Sequence, residues 1–112
     1  MLTDVKIHKM VKGSPGAQHA LVSFKGPASY TQYGVTVYAR NFGLAWFWGA
    51  TTAIGYNASG QGLWKADLYL PNGRGEGQDD GKVIVTDMAD GEEAAATTDL
   101  SAITFQMVVH GA

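Results

Sequence analysis

Hydrophobic and polar positions alternate along much of this chain, most clearly near its end. Ile103, Phe105, Met107 and Val109 fall on one side of the segment 103–109, as the period of two in a half-buried strand requires. A polar turn, Thr97-Thr98-Asp99-Leu100-Ser101-Ala102, feeds this strand, and the pattern predicts a C-terminal end held in the packing. Earlier segments read the same way. Val5 to Lys9 alternates weakly and meets a break at Lys12-Gly13-Ser14-Pro15-Gly16. Ala20 to Phe24 is followed by Gly26-Pro27. Gly34 to Ala39 sets Val35, Val37 and Ala39 on one side, and Leu63 to Leu70 does the same with Trp64, Ala66, Leu68 and Leu70. Lys82 to Thr86 is rich in β-branched residues, and Leu44-Ala45-Trp46-Phe47-Trp48 is apolar on both faces.

These seven short candidates, punctuated by 15 glycines, predict an all-β domain, a compact β-sandwich or barrel with long loops. Helical signals are weak. Glu92-Glu93-Ala94-Ala95-Ala96 has helix-forming residues but is too short to hold a helix alone, so one turn or a loop is expected there. No internal repeat or linker divides the chain, and its 112 residues read as a single domain, 1–112. Pro71 to Gly81, with glycine at alternate positions, predicts an exposed, mobile loop open to proteases near Arg74. Asn57 to Gly62 predicts a second, shorter loop.

Composition adjusts this picture in three places. Charged residues make up only 16% of the chain against an average of about 25%, as a surface partly covered by a partner would leave, or as a β-domain rich in Ser, Thr and Gly would. Cysteine is absent, which excludes disulfides and thiolate metal sites. The net charge of −2 is unevenly spread: residues 1–75 carry Asp4 and Asp67 as their only acids, whereas residues 76–112 carry Lys82 as their only base. This implies a solvated acidic loop region, or an acidic pole set by a charged partner. The start lacks the apolar core of a signal peptide, and the apolar run from Phe42 to Ile54 is too short and glycine-interrupted to cross a bilayer. A soluble protein made in the cytoplasm is expected, with no membrane partner. No basic cluster interleaves with aromatics, so no nucleic-acid partner is expected either.

Catalytic and cofactor motifs are weak throughout. Gly73-Arg74-Gly75-Glu76-Gly77 lacks the following helix that a phosphate loop needs. Asp87-Met88-Ala89-Asp90-Gly91-Glu92 places Ala89 where a calcium loop needs an oxygen ligand, leaving only a loose cation site from Asp87, Asp90 and Glu92 as an alternative to a solvated turn. His8, His19 and His110 lack metal-ligand spacing, and Ser23 and Ser101 lack the glycines of a nucleophile elbow. The expectation is a protein that is not an enzyme, with no cofactor, no metal and no catalytic residue. The aromatics remain: Trp46, Trp48 and Trp64 with Tyr30, Tyr33, Tyr38, Tyr56 and Tyr69. Such residues fill cores, anchor interfaces or stack on sugar rings, and all three uses stay open here. Because Phe47 lies opposite Trp46 and Trp48 on a strand, one face packs the core and the other needs a second cover. Trp46, Trp48, Trp64 and Tyr38 are the candidate interface residues.

The segment from Thr98 to Gly111 resembles the terminal strand of small tailed-phage head proteins, a group encoded near major capsid genes that includes capsid decoration, or cement, proteins. Asn41-Phe42-Gly43-Leu44 is similar to their glycine-centred turn before a hydrophobic strand, and the acidic, alanine-rich stretch from Asp90 to Thr97 also fits. Trp46-Phe47-Trp48 departs from their pattern. The resemblance implies a structural virion protein with no chemistry, made in the host cytoplasm and bound as a homotrimer to the major capsid protein lattice on the capsid surface. The alternative function is a carbohydrate-binding β-sandwich module presenting its aromatics to sugars.

Overall fold

The alternating C-terminal segment becomes the central strand of a single sheet. In a computed structural model, which describes residues 2–13, 17–70 and 79–112, the strands are β1 (Thr3–Lys12), β2 (Gln18–Lys25), β3 (Val35–Tyr38), β4 (Phe47–Ala50), β5 (Ala53–Tyr56), β6 (Gly62–Tyr69), β7 (Asp80–Asp87) and β8 (Thr104–Gly111). They form one 8-stranded antiparallel sheet in the order β1-β2-β8-β5-β6-β7-β3, with β4 also on β8. The sheet curls into a half-barrel, so of the two expected all-β architectures the barrel-like one is realised. Strands β4 and β5 lie end to end along one edge of β8, joined at Thr51, whose N–H donates to the Val108 carbonyl and whose hydroxyl accepts from the Val108 N–H.

The concave face collects the residues that the alternation assigns to it. Phe105, Met107 and Val109 on β8 are buried, as are Ala20, Val22 and Phe24 on β2, Val35 and Val37 on β3, and Val83 and Val85 on β7. Phe105 stacks on Phe24 with ring centroids 5.4 Å apart, Phe24 meets Phe42 at 6.3 Å and Phe42 meets Phe47 at 5.8 Å. This chain of rings ties the central strands to the segment that leads into β4. Each aromatic pair contributes about 0.5–1.5 kcal/mol beyond the area it buries.

Two details differ from the sequence reading. An eighth strand, β5, runs through Gly55. A Cβ there would lie 2.5 Å from Cε1 of Phe105 and 2.7 Å from Cγ2 of Ile103, so the glycine that hides the strand pattern makes room for the core. Second, the strand expected over Leu44–Trp48 begins only at Phe47. Residues 45 and 46 instead form a bend bonded to Ala112: the Ala45 N–H donates to the Ala112 carbonyl at 2.6 Å, and the Ala112 N–H to the Trp46 carbonyl at 3.2 Å. Glu92 to Ala96, expected as one turn or a loop, is loop, with Glu93 bridging to Thr86 on β7. The one helical turn among the described residues is a 3-10 turn at Ala39–Phe42. The loop expected over Pro71 to Gly81 lies, as far as Gln78, outside the described residues.

Gly43 ends the 3-10 turn at φ 76°, a left-handed conformation that costs residues with a Cβ about 1–2 kcal/mol. An added Cβ would also come within 3.1 Å of Cδ1 of Ile7 and Cε of Met10, which cover the turn from β1. A Gly43→Ala variant is expected to lose about 1–2 kcal/mol of stability, read as a lower urea midpoint at unchanged slope. An unchanged midpoint would show that Gly43 is not held in the left-handed conformation.

Candidate functional site

Strand parity decides which side chains leave the core. Phe47 is fully buried and pairs with Gly111 on the concave side, so its neighbours turn outward. Trp46 is 47% exposed and Trp48 is 50% exposed. Trp48 occupies the register shift between Phe47 and Gly49, where β4 makes a bulge against β8. The same register sets Gly49 opposite His110 and His110 opposite His19, whose rings lie 5.7 Å apart. In the next outward-facing row Leu21, 40% exposed, pairs with Val108. Trp48, His110, His19, Val108 and Leu21 thus share one outward region spanning β4, β8 and β2. The His19–His110 pair is invisible in the sequence, where 90 positions separate them; only the β2–β8 register brings them together.

The four candidate interface residues do not gather at one place. Trp46 and Trp48 flank Phe47 at the start of β4. Trp64 lies opposite Gly55, on the concave side, and packs half-buried against the core. Tyr38 ends β3, separated from β8 in strand order by β5, β6 and β7, and its ring carries the Arg40 guanidinium at 4.3 Å. A further set of outward apolar residues lies on β5 and β6, where Ile54 and Tyr56 lean over Gly62 and Leu63 and Tyr69 are exposed.

Charge is sorted in space as well as along the chain. Register places Lys6, Lys9, Lys25, Lys65 and Lys82 on the convex face, opposite Ser23, Leu21, Thr104, Ile54 and Thr36 respectively. Two acids of that face are engaged locally: Asp4 pairs with Lys6 at 3.8 Å, and Asp67 accepts a 2.5 Å hydrogen bond from the Thr52 hydroxyl. Acids in the loops between β7 and β8 serve the backbone. Asp87 accepts from the Ala89 N–H and Asp90 from the Glu92 N–H. Asp99 accepts from both the hydroxyl and the N–H of Ser101, bonds that hold its carboxyl below its ordinary value. Among the described residues no group of three or more His, Asp or Glu side chains converges on a cation position, and no helix is long and apolar enough to cross a membrane.

Tyr30, one of the aromatics whose use the sequence leaves open, is 2% exposed and structural. Its hydroxyl donates to Glu93 Oε2 at 2.7 Å and accepts from the Val85 N–H at 3.1 Å. Glu93 Oε2 also accepts from the Tyr33 N–H at 2.7 Å, and the backbone of Tyr30 bonds Thr97 and Thr98. Tyr30 therefore clamps the loop before β3 to the segment before β8.

Comparison with protein-family models, curated proteins and solved structures returned no match.

Proposed function

We propose that this protein is a non-enzymatic structural virion protein that binds and stabilises a tailed-phage capsid as a decoration, or cement, protein. The observation that carries the reading is the outward placement of Trp46 and Trp48 beside a fully buried Phe47. Covering the remaining half of each indole contributes roughly 2–3 kcal/mol at about 25 cal/mol per Å² of apolar surface. That is enough to make both rings anchors of a contact. The partner is the major capsid protein lattice, with further copies of this chain as a homotrimer, the form that the terminal-strand resemblance implies. Weak contacts repeated over a lattice add through effective concentration. The lysines of the convex face complement an acidic partner surface and steer the encounter. No cofactor, nucleic acid or membrane enters this role.

The test is cosedimentation of the purified chain with phage heads, together with sedimentation velocity of the chain alone at micromolar concentration. A fixed ratio to the capsid subunit is expected, and a species larger than the 11.9 kDa monomer in the absence of heads. Trp48→Ala should weaken head binding at least about tenfold. A monomer that ignores heads, whose tryptophans are freely quenched by acrylamide and protected by a glycan, would overturn this reading in favour of a carbohydrate-binding module.

A further inference from the structure

The half-barrel stays open between its two terminal strands. β1 and β3 are not bonded to one another, and between them lies a groove of about 550 Å³. This volume is in the range of small-molecule sites. Leu2 and Val5 line one side; Val35, Val37 and Phe42 line the other. Its charged member is Arg40, an exposed residue stacked over the Tyr38 ring, which also lines the groove. Among the described residues no carboxylate pairs with Arg40, the one ion pair being Asp4–Lys6.

An added strand is the obvious occupant of an open sheet edge, but β3 has little edge to offer. The Tyr38 N–H is taken by Oδ1 of Asn41 at 3.1 Å and the Gly34 N–H by the Thr31 carbonyl at 3.1 Å. Alternation turns the N–H and carbonyl of both Thr36 and Tyr38 away from β7, and with the Tyr38 N–H occupied only Thr36 offers both groups. One residue is too short a ladder for β-augmentation. An apolar trough with one fixed guanidinium at its wall instead matches a ligand with an apolar body and one anionic end. Arg binds a carboxylate through two parallel N–H donors, and stacking on Tyr38 holds that fork in place.

We propose that the groove between β1 and β3 binds a small apolar carboxylate, its hydrocarbon part between Val5 and Val37 and its carboxylate on Arg40. The proposal does not depend on the capsid-binding reading, since neither Trp46 nor Trp48 lines the groove. The test is a titration of the full chain with sodium octanoate, followed by amide chemical shifts and by calorimetry, beside octanol and octyltrimethylammonium. Octanoate should shift the amides of Val5, Thr36, Val37 and Arg40 and leave that of Trp48 in place. It should bind at least about tenfold more tightly than octanol, and Arg40→Gln should remove that preference, as loss of a charge-assisted bond implies. Arg40 is exposed, so this variant is expected to keep the native spectrum. Equal affinity for octanoate and octanol, an unchanged preference in Arg40→Gln, or shifts confined to other regions would each overturn the proposal. So would silence towards octanoate together with binding of an extended acidic peptide, which would give the groove to a strand partner.

Discussion

Phe105→Ala is expected to lose about 3–5 kcal/mol of folding stability, the largest effect of any single truncation here. Phe105 is fully buried on the central strand, its ring stacks on Phe24, and it fills the space above Gly55 on the neighbouring strand. Domains of this size hold about 5–15 kcal/mol in total, so the variant would sit close to its unfolding threshold. The Gly55 contact gives a sharper test. Gly55→Ala alone drives a Cβ into the Phe105 ring and should cost about 1–3 kcal/mol by overpacking. In the Phe105→Ala background the ring is gone, so the same change should cost far less. A double-mutant cycle by guanidinium denaturation should therefore show a coupling of at least about 1 kcal/mol. Strict additivity would mean that the ring does not lie over Gly55.

The pairing of these two residues also shows what was legible in the sequence. Period-two alternation needs side chains on both sides of each residue, and where they exist the reading was accurate. Ile103, Phe105, Met107 and Val109 are all buried, and so are Val35, Val37 and Ala39. β5 escaped because Gly55 carries no side chain, and the reason for that glycine lies in residues some 50 positions away. Leu44 to Trp46 reads as strand because it is apolar, yet the Leu44 N–H goes to the Ala39 carbonyl and the backbones of Ala45 and Trp46 bond Ala112. Local pattern reports hydrophobicity, whereas pairing depends on which backbone arrives alongside.

The candidate site was legible in the same partial way. The opposition of Phe47 to Trp46 and Trp48 follows from strand parity and is found in the fold. Trp64 could be assigned to a side with Ala66 and Leu68, but its position on the concave side depends on the pairing with Gly55. The lysine-bearing face was hidden because Lys6, Lys9, Lys25, Lys65 and Lys82 are spread over four strands, β1, β2, β6 and β7, that meet only through the sheet register. Tyr30 stands among the aromatics whose use the pattern leaves open, because its burial depends on Glu93 and Val85 far along the chain.

That clamp leads to a pH dependence with a definite sign. Burial first, and then donation to the Glu93 carboxylate, push the Tyr30 hydroxyl from 10.0 up to about 12, while the Val85 N–H pulls the other way. The folded state therefore holds this proton more tightly than the unfolded chain. Its stabilising contribution is complete below pH 10 and is lost as the pH climbs through about 12. At about 1.4 kcal/mol for each tenfold change in the ionisation constant, some 2–3 kcal/mol is at stake. Tyr30→Phe supplies the reference. Near neutrality it should be less stable by about 1–3 kcal/mol, because the buried Val85 N–H loses its acceptor and Glu93 a donor. Urea denaturation of both proteins from pH 8 to 12 isolates the effect, since groups other than Tyr30 that titrate in this range act on both and cancel in the difference. The gap between wild type and Tyr30→Phe should stay constant up to about pH 10 and close above it. A gap that persists unchanged to pH 12 would show that the hydroxyl ionises as readily folded as unfolded, and that the loops on either side of it are held by something other than the Tyr30–Glu93 bond.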